Sequence, residues 1–599
     1  MYKTKILQNL FGFDIEDEAI EIARLRMWLS MIVDKKQPEP LQSLDLNIVR
    51  ISDSLITFEG IQRKIEDKPN SIWDEMRTIR EKFATAKKPD IRAKLRNELQ
   101  RIQNSIERET GVGGGIIESW VPKKVDIIVM NPPYVKHELI HNDKKKYYSL
   151  TYKINYKSDL YCYFVLRALK LVNQNGIISV ISSDKWLETG YGEDLQKKLS
   201  SRLIGVYGQR GRTFRAGVNS IIFVCSSETN SLKTTDFVYL ESYSSLLIRN
   251  HIQFMRKDLK PGKWFYFRAP KMFMAKIYPK LTHKLKEFAE INRGIETDQN
   301  NFFLLRDVSD LYNADYLTNP IKFKYLGILV RNEGELKGKG LIYVQNGFHE
   351  RFVLKKEDLL PIFNDVQLLT SRKIGNTEYF LFFPSHQLNE YSKKYIEWGE
   401  HYKIVQKKGK NKGKEVEGIN NLDSVSDHKP HWYNVRLVEP SKVLVPRFIY
   451  RRYFVPISRK EKVFAGDSFA IFYPRSNVSV ELLWAYLNTD IFWIIAEIYG
   501  RVSGEGLLAL IKGDYGEMQC PDLSEMKIGN ELIAKLLELK PENFNDEQKA
   551  DTHYLLNKWI LDSIGVTEVS VSELDTLLIN FINERVYKAN KKKNNSKVV

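Results

Sequence analysis

Residues 124–130 have the sequence KVDIIVM, and Asn131, Pro132, Pro133 and Tyr134 follow them directly. The run is almost continuously apolar, which predicts a strand of a parallel sheet that is buried on both faces. The two prolines then end the strand, because proline has no backbone N–H to give to the ladder. The four residues are therefore expected to form a loop at the carboxyl end of a central strand, where open α/β sheets bind their ligands.

Strands and helices alternate on both sides of this stretch. Upstream, the apolar runs 10–15 and 46–51 predict two strands, and residues 16–33 between them have apolar side chains at helical spacing. Downstream, the sequence predicts a helix at 159–172, a strand at 176–182, a helix around 190–201, and strands at 203–208 and 220–226. Such alternation predicts an α/β fold built on a Rossmann-like, doubly wound sheet.

The character of the sequence changes along its 599 residues, a length that suits about three or four domains. Residues 1–60 and 119–250 carry the alternating pattern, and the stretch 61–118 between them, which is highly charged and poor in glycine up to residue 110, predicts a helical insertion. A linker at 251–284 leads to a mixed α/β domain at 285–525, which is rich in short aromatic strands and clustered basic residues. Residues 526–599 predict helices followed by a disordered basic tail.

The charge and the cysteine content indicate which kind of partner and which cellular compartment to expect. The formal net charge is +17 and the pI is about 9.3, which attracts polyanions, so nucleic acid is the expected partner. No apolar run reaches about 18 residues, and the N-terminus lacks the pattern of a secretory signal, so no membrane partner is expected. Three widely spaced cysteines form no CxxC pair, which predicts a reduced, cytoplasmic protein with neither a disulfide framework nor a metal site.

The four-residue loop has the groups that methylation of an exocyclic base amine requires. Such an amine is a poor nucleophile, and the base must leave the helix before a protein can reach it. Asn131 offers a side-chain carbonyl and Pro132 a backbone carbonyl, which together can accept both amine protons. Tyr134 offers a ring on which the extruded base can stack. The alternative interpretation is a Pro-Pro turn that merely ends a strand.

This loop resembles motif IV of the amino-methyltransferases, which use S-adenosylmethionine to methylate adenine N6 or cytosine N4. Its surroundings resemble the large restriction–modification methylases, including the fused type IIG enzymes. GFDIEDEAIEIARLRMWL (12–29) resembles their motif II, which implies that Asp14 and Ile15 contact the cofactor and that Asp14 holds its ribose hydroxyls. NIVRISDSL (47–55) resembles motif III, which implies that Asp53 faces the cofactor's adenine. Without the resemblance, Asp14 could equally be a helix N-cap.

Later segments also match this family. Asp159 to Asp184, then Phe214 and Asn219, resemble the motifs that line the target-base pocket. INRGIETDQNNFFLL (291–305) resembles the opening of a Taq-type specificity domain, although Asp298 stands where that pattern has glycine. Residues 431–455 and 482–510 resemble its later strand pair and closing helix.

The basic residues of that region are interleaved with aromatic ones, which is typical of DNA contact. The candidates for phosphate or groove contacts are Arg447, Arg451 and Arg452. A solvated surface charge is the alternative for each of them.

One expected motif is missing. The family has a glycine-rich loop that holds the methionine end of S-adenosylmethionine, and glycine is needed there because the backbone approaches the ligand closely. This loop should precede motif II by roughly twenty residues or more. No such loop lies upstream of Asp14, and Gly111–Gly115 is in the wrong place. We therefore expect the first strand of the sheet and this loop to be absent and the chain alone to bind the cofactor poorly. Either the reading frame is truncated, or an upstream polypeptide supplies the missing part.

Two classes of function remain open. The first is a site-specific DNA adenine-N6 methyltransferase of a restriction–modification system, with cytosine N4 as an alternative target. The second is a specificity polypeptide that binds double-stranded DNA and no longer transfers methyl groups, or an inactive fragment that needs an upstream partner for the cofactor loop. An RNA or protein-glutamine methylase is a third, disfavoured by the long specificity-like region.

Overall fold

The computed structural model describes the following residues: 6, 9–33, 44, 47–51, 53–57, 75, 78–79, 82–83, 86, 88–110, 117, 124–209, 220–262, 264, 268–318, 330–406, 413–502 and 506–596. The chain divides into two compact units, Met1–Arg268 and Ala269–Val599. The division lies within the segment 251–284, which the sequence predicted to be a linker. That segment also contains regular structure, since it includes most of a strand and the π-helical turn Phe273–Ile277.

The first unit contains, among its described residues, eight strands and five α-helices. The strands are β1 (Gly12–Asp14), β2 (Ile48–Arg50), β3 (Val125–Met130), β4 (Val172–Ser183), β5 (Leu203–Gln209), β6 (Ser220–Ser226), β7 (Thr234–Leu240) and β8 (Ile248–Met255). The helices are α1 (Asp17–Ile32), α2 (Pro89–Thr110), α3 (Asn142–Tyr152), α4 (Leu160–Leu171) and α5 (Gly192–Leu199). The strands and helices predicted for residues 10–56 and 124–226 are thus confirmed, with ends shifted by a few residues.

The main sheet of this unit has six strands in the order β3-β4-β6-β5-β7-β8. β3 and β4 pair in parallel, as do β5 and β7, whereas β6 runs antiparallel to both β4 and β5. The expected doubly wound sheet is therefore mixed, because β6 turns back and inserts between the strands that precede it. The predicted α/β class is confirmed at that level.

β1 and β2 form a separate parallel pair in the described part of the chain. Helix α1 connects them and packs on them through a small core in which Ile20, Met31 and Ile48 are buried. A second cluster joins β2 to the rest of the unit, since Val49 and Ile51 pack with Leu171 at the end of α4. The pair is therefore attached to the helices of the β3–β4 connection.

One prediction for β3 is wrong. The apolar run was expected to be buried on both faces, yet Ile127 is 68% and Val129 is 78% exposed. Both side chains lie on one face of the strand, because successive residues alternate between faces. Among the described residues β3 pairs with β4 alone, so it is an edge strand rather than a central one.

The second unit is mixed α/β, as predicted for its first part. Its strands are β9 (His283–Lys284), β10 (Ala289–Arg293), β11 (Leu304–Asp307), β12 (Leu341–Gln345), β13 (Arg351–Lys355), β14 (Leu359–Phe363), β15 (Tyr379–Phe382), β16 (Lys403–Val405), β17 (Glu415–Glu417), β18 (Val443–Pro446), β19 (Phe448–Ile449), β20 (Phe464–Ala465), β21 (Phe469–Pro474), β22 (Arg501–Val502), β23 (Leu508–Ala509) and β24 (Gln519–Cys520). Its helices are α6 (Asn300–Phe303), α7 (Tyr312–Thr318), α8 (Glu333–Gly338), α9 (Glu390–His401), α10 (Val480–Tyr486), α11 (Asp490–Tyr499), α12 (Lys512–Glu517), α13 (Asn530–Glu538), α14 (Phe544–Glu547), α15 (Asp551–Ser563) and α16 (Val571–Ser596).

The largest sheet of this unit has the order β13-β12-β11-β15-β14-β20, and a three-stranded sheet has the order β10-β21-β18. An aromatic core fills the space between the six-stranded sheet and α9, where the rings of Phe302 and Tyr395 stack with centroids 4.5 Å apart. Asp298, which stands where the family pattern has glycine, adopts φ +54°. This is a left-handed backbone, which aspartate is among the residues to tolerate.

The described C-terminal helices lie in the second compact unit. Arg372 donates to the Leu539 carbonyl at 2.8 Å and to Glu547 of α14 at 2.5 Å, and all of the side chains in this ion pair are buried. Helix α16 continues to Ser596, so the predicted disordered tail is instead helical up to that residue. No helix among the described residues of the chain is both long and apolar enough to span a membrane.

Candidate active site

Three predicted site residues lie at or just beyond the carboxyl ends of parallel strands. Asp14 is the last residue of β1, Asp53 lies three positions after β2, and Asn131 follows β3. Carboxyl ends of strands are the places where open α/β sheets bind their ligands, since the helices that follow leave a crevice there. The structure thus gives the three residues equivalent positions on their strands.

The loop after β3 is fixed by two hydrogen bonds to the start of α4. The Leu160 amide donates to the Val135 carbonyl at 3.0 Å, and the His137 amide donates to the Asp159 carboxylate at 3.0 Å. Within the loop, Pro132 is buried while Asn131 and Pro133 are exposed. The buried ring anchors the corner and leaves the asparagine side chain accessible from solvent, as a base-binding role requires.

Tyr134 is half-buried beside other tyrosines that the sequence did not mark as site residues. Its ring meets the ring of Tyr161 edge-on, with centroids 6.4 Å apart and an interplanar angle of 79°. The hydroxyls of Tyr161 and Tyr191 lie 2.9 Å apart, and Tyr191 donates to Asp159 at 2.8 Å. Asp159 therefore joins the loop backbone to the ring cluster behind Tyr134.

Burial controls the ionisation of these phenols. It raises the pKa of Tyr134 above its usual value, and it raises the pKa of Tyr161 and Tyr191 as well. All three rings consequently stay neutral at physiological pH, so none competes with Asn131 as a charged acceptor. Of the two neighbouring tyrosines, only Tyr161 lies close in sequence to a residue singled out from the sequence, since it follows Asp159 by two positions.

Asp53 has three hydrogen-bonding partners within the first unit. Its carboxylate accepts from the Tyr148 hydroxyl at 2.5 Å, from Lys144 at 3.3 Å and from the Leu55 amide at 3.0 Å. These bonds, together with Arg167, which donates to the Ser54 carbonyl at 3.1 Å, hold the segment after β2 against α3 and α4. Asp53 is therefore fixed in position, with part of its acceptor capacity already in use.

Asp14 is exposed and accepts from the Glu16 amide at 3.0 Å. Helix α1 has Glu16 as its N-cap, without a side-chain cap bond, so Asp14 forms a local turn two residues earlier and is not the N-cap itself. Ile15 is 55% exposed, and its carbonyl accepts from Arg50 at 3.0 Å. The turn presents a carboxylate and an apolar side chain to solvent together.

S-adenosylmethionine has a ribose end and a methionine end, and the described residues fit these two ends differently. An exposed carboxylate at a strand end suits a ribose diol, because ionised oxygens accept hydrogen bonds from two hydroxyls. The methionine end needs close backbone approach, which glycine permits. Of the glycines that the structure describes in the first unit, none follows the carboxyl end of β1, β2 or β3. Gly111–Gly115 lies outside the described residues. The described residues thus fit the ribose end alone.

Asp184 begins the turn after β4 and is fully buried. Arg268 donates to its carboxylate at 3.0 Å. Burial and the neighbouring Glu188 raise the pKa of Asp184 to about 6, although Arg268 and Lys185 partly offset them. A carboxyl group with this pKa changes its protonation near neutral pH, and this shift could not be predicted from the sequence because it depends on burial.

The remaining residues predicted for the base pocket are Phe214 and Asn219, and both lie outside the described residues. The next residue, Ser220, opens β6 and pairs with Ser183 of β4. Its carbonyl and that of Tyr207 accept from the Tyr243 hydroxyl at 3.4 and 2.8 Å. The pocket prediction therefore stays a prediction.

The three candidate arginines of the second unit differ in environment. Arg447 is buried, and its guanidinium donates to the carbonyls of Leu510 and Asp467. Arg452 is half-buried and donates to three backbone carbonyls, of which that of Pro541 lies at 3.1 Å. Arg451 is exposed. A DNA phosphate would have to compete with these carbonyls for the guanidinium of Arg447 or Arg452, whereas Arg451 is accessible.

Part of the first unit is similar in sequence to restriction–modification methylases. Residues 8–204 match the family of Eco57I restriction-modification methylases. The type II methyltransferase M.BstVI of Geobacillus stearothermophilus is 26% identical over 146 residues, which are 23% of this chain and 26% of that protein. M.AccI of Acinetobacter calcoaceticus is 23% identical over 428 residues, 67% of this chain and 69% of that protein. The resemblance predicted from the sequence is confirmed at this level.

Two solved structures are similar in outline. The type IIL restriction-modification enzyme MmeI, solved in complex with DNA, has a TM-score of 0.41 and 12% identity, covering 82% of this chain and 63% of that one. The type IIG restriction endonuclease BpuSI has a TM-score of 0.33 and 14% identity, covering 78% and 55% of the two chains.

Proposed function

We propose that this chain acts as a site-specific DNA adenine-N6 methyltransferase of a restriction–modification system. The observation that carries the proposal is the loop Asn131–Tyr134, which follows β3 with its asparagine exposed, its first proline buried and its tyrosine packed on Tyr161. The match of residues 8–204 to restriction-modification methylases supports it. The names of the similar proteins, which are type II methyltransferases, support DNA as the substrate.

Each of these loop residues makes a different contact with a flipped adenine. The Asn131 side-chain carbonyl and the Pro132 carbonyl accept hydrogen bonds from the two N–H groups of the exocyclic amine, which localises the nitrogen lone pair. The neutral ring of Tyr134 stacks on the base and holds it flat, a contact worth about 1–3 kcal/mol in related stacking sites. Asp159 is a positioning residue, because it fixes the loop backbone through the His137 amide.

S-adenosylmethionine, when bound, supplies an activated methyl group. In this proposal Asp14 holds the ribose hydroxyls, Ile15 packs against the nucleoside, and Asp53 faces the adenine of the cofactor from its fixed position against Tyr148. Phe214 and Asn219 line the pocket for the target base. These assignments follow the family motifs and the strand-end positions of the residues.

The second unit would read the DNA sequence. A basic chain of net charge +17 is drawn to the phosphate backbone, and Arg451 is the accessible candidate among the three arginines. The order of the motifs, with the reading region behind them, favours adenine N6 over cytosine N4 as the methylated position. Arg447 and Arg452 would then shape the surface on which Arg451 stands.

A DNA-binding specificity polypeptide is the second candidate function. It is favoured by the described residues at the strand ends, which fit the ribose of the cofactor and offer no glycine for its methionine end. Such a polypeptide would bind its DNA site without transferring methyl groups, whether or not the cofactor loop is supplied.

The test is transfer of a tritiated methyl group to DNA by the full chain, alone and co-expressed with the polypeptide encoded immediately upstream. Tyr134→Ala should lower the rate roughly 5- to 150-fold, which corresponds to the stacking energy. Tyr554→Ala is the matched control, because Tyr554 is 54% exposed on a helix of the second unit. Digested product should contain N6-methyladenine. Activity unaffected by Tyr134→Ala would refute the stacking role, and DNA binding without any transfer would favour the second candidate.

A further inference from the structure

Four strands of the main sheet in the first unit end at the same edge. β3 and β4 are parallel, β5 and β7 are parallel, and β6 runs antiparallel to both β4 and β5, so β3, β4, β5 and β7 all point the same way. The loop Asn131–Tyr134 follows β3 at this edge. Residues 241–247, the β7–β8 loop, follow β7 at it. Both loops therefore lie on the side of the sheet where open α/β sheets bind their ligands.

Tyr243 ties the β7–β8 loop to the crevice at this edge. Its hydroxyl donates to the Tyr207 carbonyl at 2.8 Å, and its amide donates to the Gln209 side chain at 2.8 Å. Burial raises the pKa of Tyr243, and Asp184 and Tyr134 raise it further, so its hydroxyl lies within electrostatic reach of both. The β7–β8 loop is therefore held against the crevice in which the proposed extruded base would lie.

The tip of the β7–β8 loop presents apolar side chains to solvent. Leu246 is 67% and Leu247 is 63% exposed, and Ile248, which opens β8, is also exposed. Leu246 has φ +54°, a left-handed backbone that glycine or asparagine adopts at lower steric cost than leucine. Either of those residues would serve better in a turn that only reversed the chain, which indicates that the leucine side chain itself is needed.

Hydrogen bonds fix the tip in this conformation. The Leu246 amide donates to the Ser242 carbonyl at 3.1 Å, and the Glu241 amide donates to the Leu247 carbonyl at 2.8 Å. The Ser245 amide donates to the Ser242 hydroxyl oxygen at 3.0 Å. Two adjacent leucines thus project from a closed turn, and contiguous exposed apolar side chains mark a site of interaction.

The charges at this edge favour DNA as the partner of the two leucines. Residues 210–219 connect β5 with β6, begin and end at the edge, and contain three arginines and no acidic residue. Lys136 and Lys185, which follow β3 and β4, are exposed there. A second copy of the chain would bring the same positive charges against one another. Duplex DNA instead offers phosphates to the cations and apolar base faces to the leucines.

We propose that Leu246 and Leu247 contact duplex DNA by inserting into the base stack beside the extruded base. Apolar side chains enter the stack in this way in proteins that kink DNA, where they separate neighbouring base pairs. Here the two leucines occupy the gap that the extruded adenine leaves, while Asn131–Tyr134 holds the base itself. The inference rests on the proposed function only in that the DNA must lie on this edge of the sheet.

The experiment measures binding of the full chain to two short duplexes of identical sequence, one intact and one with a single abasic site. The abasic site supplies a gap in the stack, so neither a recognition sequence nor base extrusion is required. We expect tighter binding to the gapped duplex, and a change in the fluorescence of 2-aminopurine placed beside the gap. Leu246→Ser with Leu247→Ser should lower affinity for the gapped duplex roughly 10-fold or more and leave affinity for the intact duplex almost unchanged.

Two further variants sharpen the result. Leu246→Met with Leu247→Met keeps two long apolar side chains and should keep the preference for the gapped duplex. Leu232→Ser is the matched control, because Leu232 is 77% exposed in the turn between β6 and β7, at the opposite edge of the sheet. It should change neither affinity.

Several outcomes would overturn the inference. Equal binding of the two duplexes by the unaltered chain, or an equal loss for the double serine variant and the control, would exclude insertion. A lower melting temperature of the serine variant would show that the leucines pack within the folded chain, and a changed oligomeric state would show that they contact a second copy. The proposed function fails separately. Insertion without any methyl transfer would refute the activity alone, whereas transfer without a preference for the gapped duplex would refute the insertion alone.

Discussion

The buried ion pair between Arg585 of α16 and Glu497 of α11 offers a quantitative test of how the second unit is held together. The two side chains are 2% and 3% exposed, and Arg585 Nη2 lies 3.1 Å from a carboxylate oxygen of Glu497. The same guanidinium donates to the Tyr450 carbonyl at 2.7 Å and to the Tyr453 hydroxyl at 2.6 Å. One side chain thus joins the last helix to two other segments, α11 and residues 450–453.

Arg585→Met removes the cation and leaves the Glu497 carboxylate buried without its charged partner. Breaking a buried pair in this way costs about 3–5 kcal/mol of unfolding free energy. At about 2 °C per kcal/mol for a large domain, the melting temperature should fall by roughly 6–10 °C. Arg585→Met combined with Glu497→Leu should recover part of the loss, because no charge stays buried. The Tyr450 carbonyl still loses a donor, at about 1–3 kcal/mol per unsatisfied buried group.

Thermal and guanidinium unfolding of the full chain, followed by tryptophan fluorescence, measures these changes. Lys558→Met is the matched control, because Lys558 and Asp562 form a half-exposed pair at 2.8 Å on one face of α15. Such a pair contributes about 0.3–0.5 kcal/mol. A loss for Arg585→Met no larger than that of the control would refute the argument that this pair anchors α16.

Three further predictions concern the site and the second unit. Asp159→Asn keeps an acceptor for the loop but changes the partner of Tyr191, so methyl transfer should fall roughly 10-fold or more without a change in melting temperature; an unchanged rate would contradict the positioning role. Burial lowers the pKa of His553, but Asp490 and Asp575 outweigh it and raise the pKa to about 10. The charged form therefore stabilises the unit fully below pH 6.5, and this stability is lost as pH rises through 10, so the difference in urea stability between the native chain and His553→Gln should shrink over that range. Arg451→Ala should make the decrease of log affinity for DNA with log salt concentration less steep, by about 1 in the magnitude of the slope. An unchanged slope would exclude a phosphate contact.

Much of the first unit could be predicted because its elements are locally encoded. The strand SIIFVCS at Ser220–Ser226 is found with the predicted bounds, and helix α4 differs from its prediction by one residue at each end. The apolar periodicity of these segments specifies both the element and its buried face. The predicted site loop and strand-end acids lie at the carboxyl ends of their strands for the same reason.

The tyrosines around Tyr134 could not be predicted, because ring contacts depend on how α4 and the turn before α5 pack. Tyr161 and Tyr191 are thirty residues apart, and their hydroxyls meet only in the folded unit. The fixed position of Asp53 depends in the same way on Tyr148, which lies 95 residues later. Side-chain pairs at such separations leave no periodic signal in the sequence.

The sequence by itself determined the elements, the loop at the end of β3 and the basic character of the chain, since each depends on neighbouring residues or on composition. Tertiary structure alone decided that β6 inserts antiparallel between β4 and β5, that β3 stands at an edge, and that Arg447 is buried among carbonyls. The physical reason is that strand order and burial are set by which distant surfaces meet. An apolar run such as 124–130 specifies a strand that needs covering, and it does not specify what covers it.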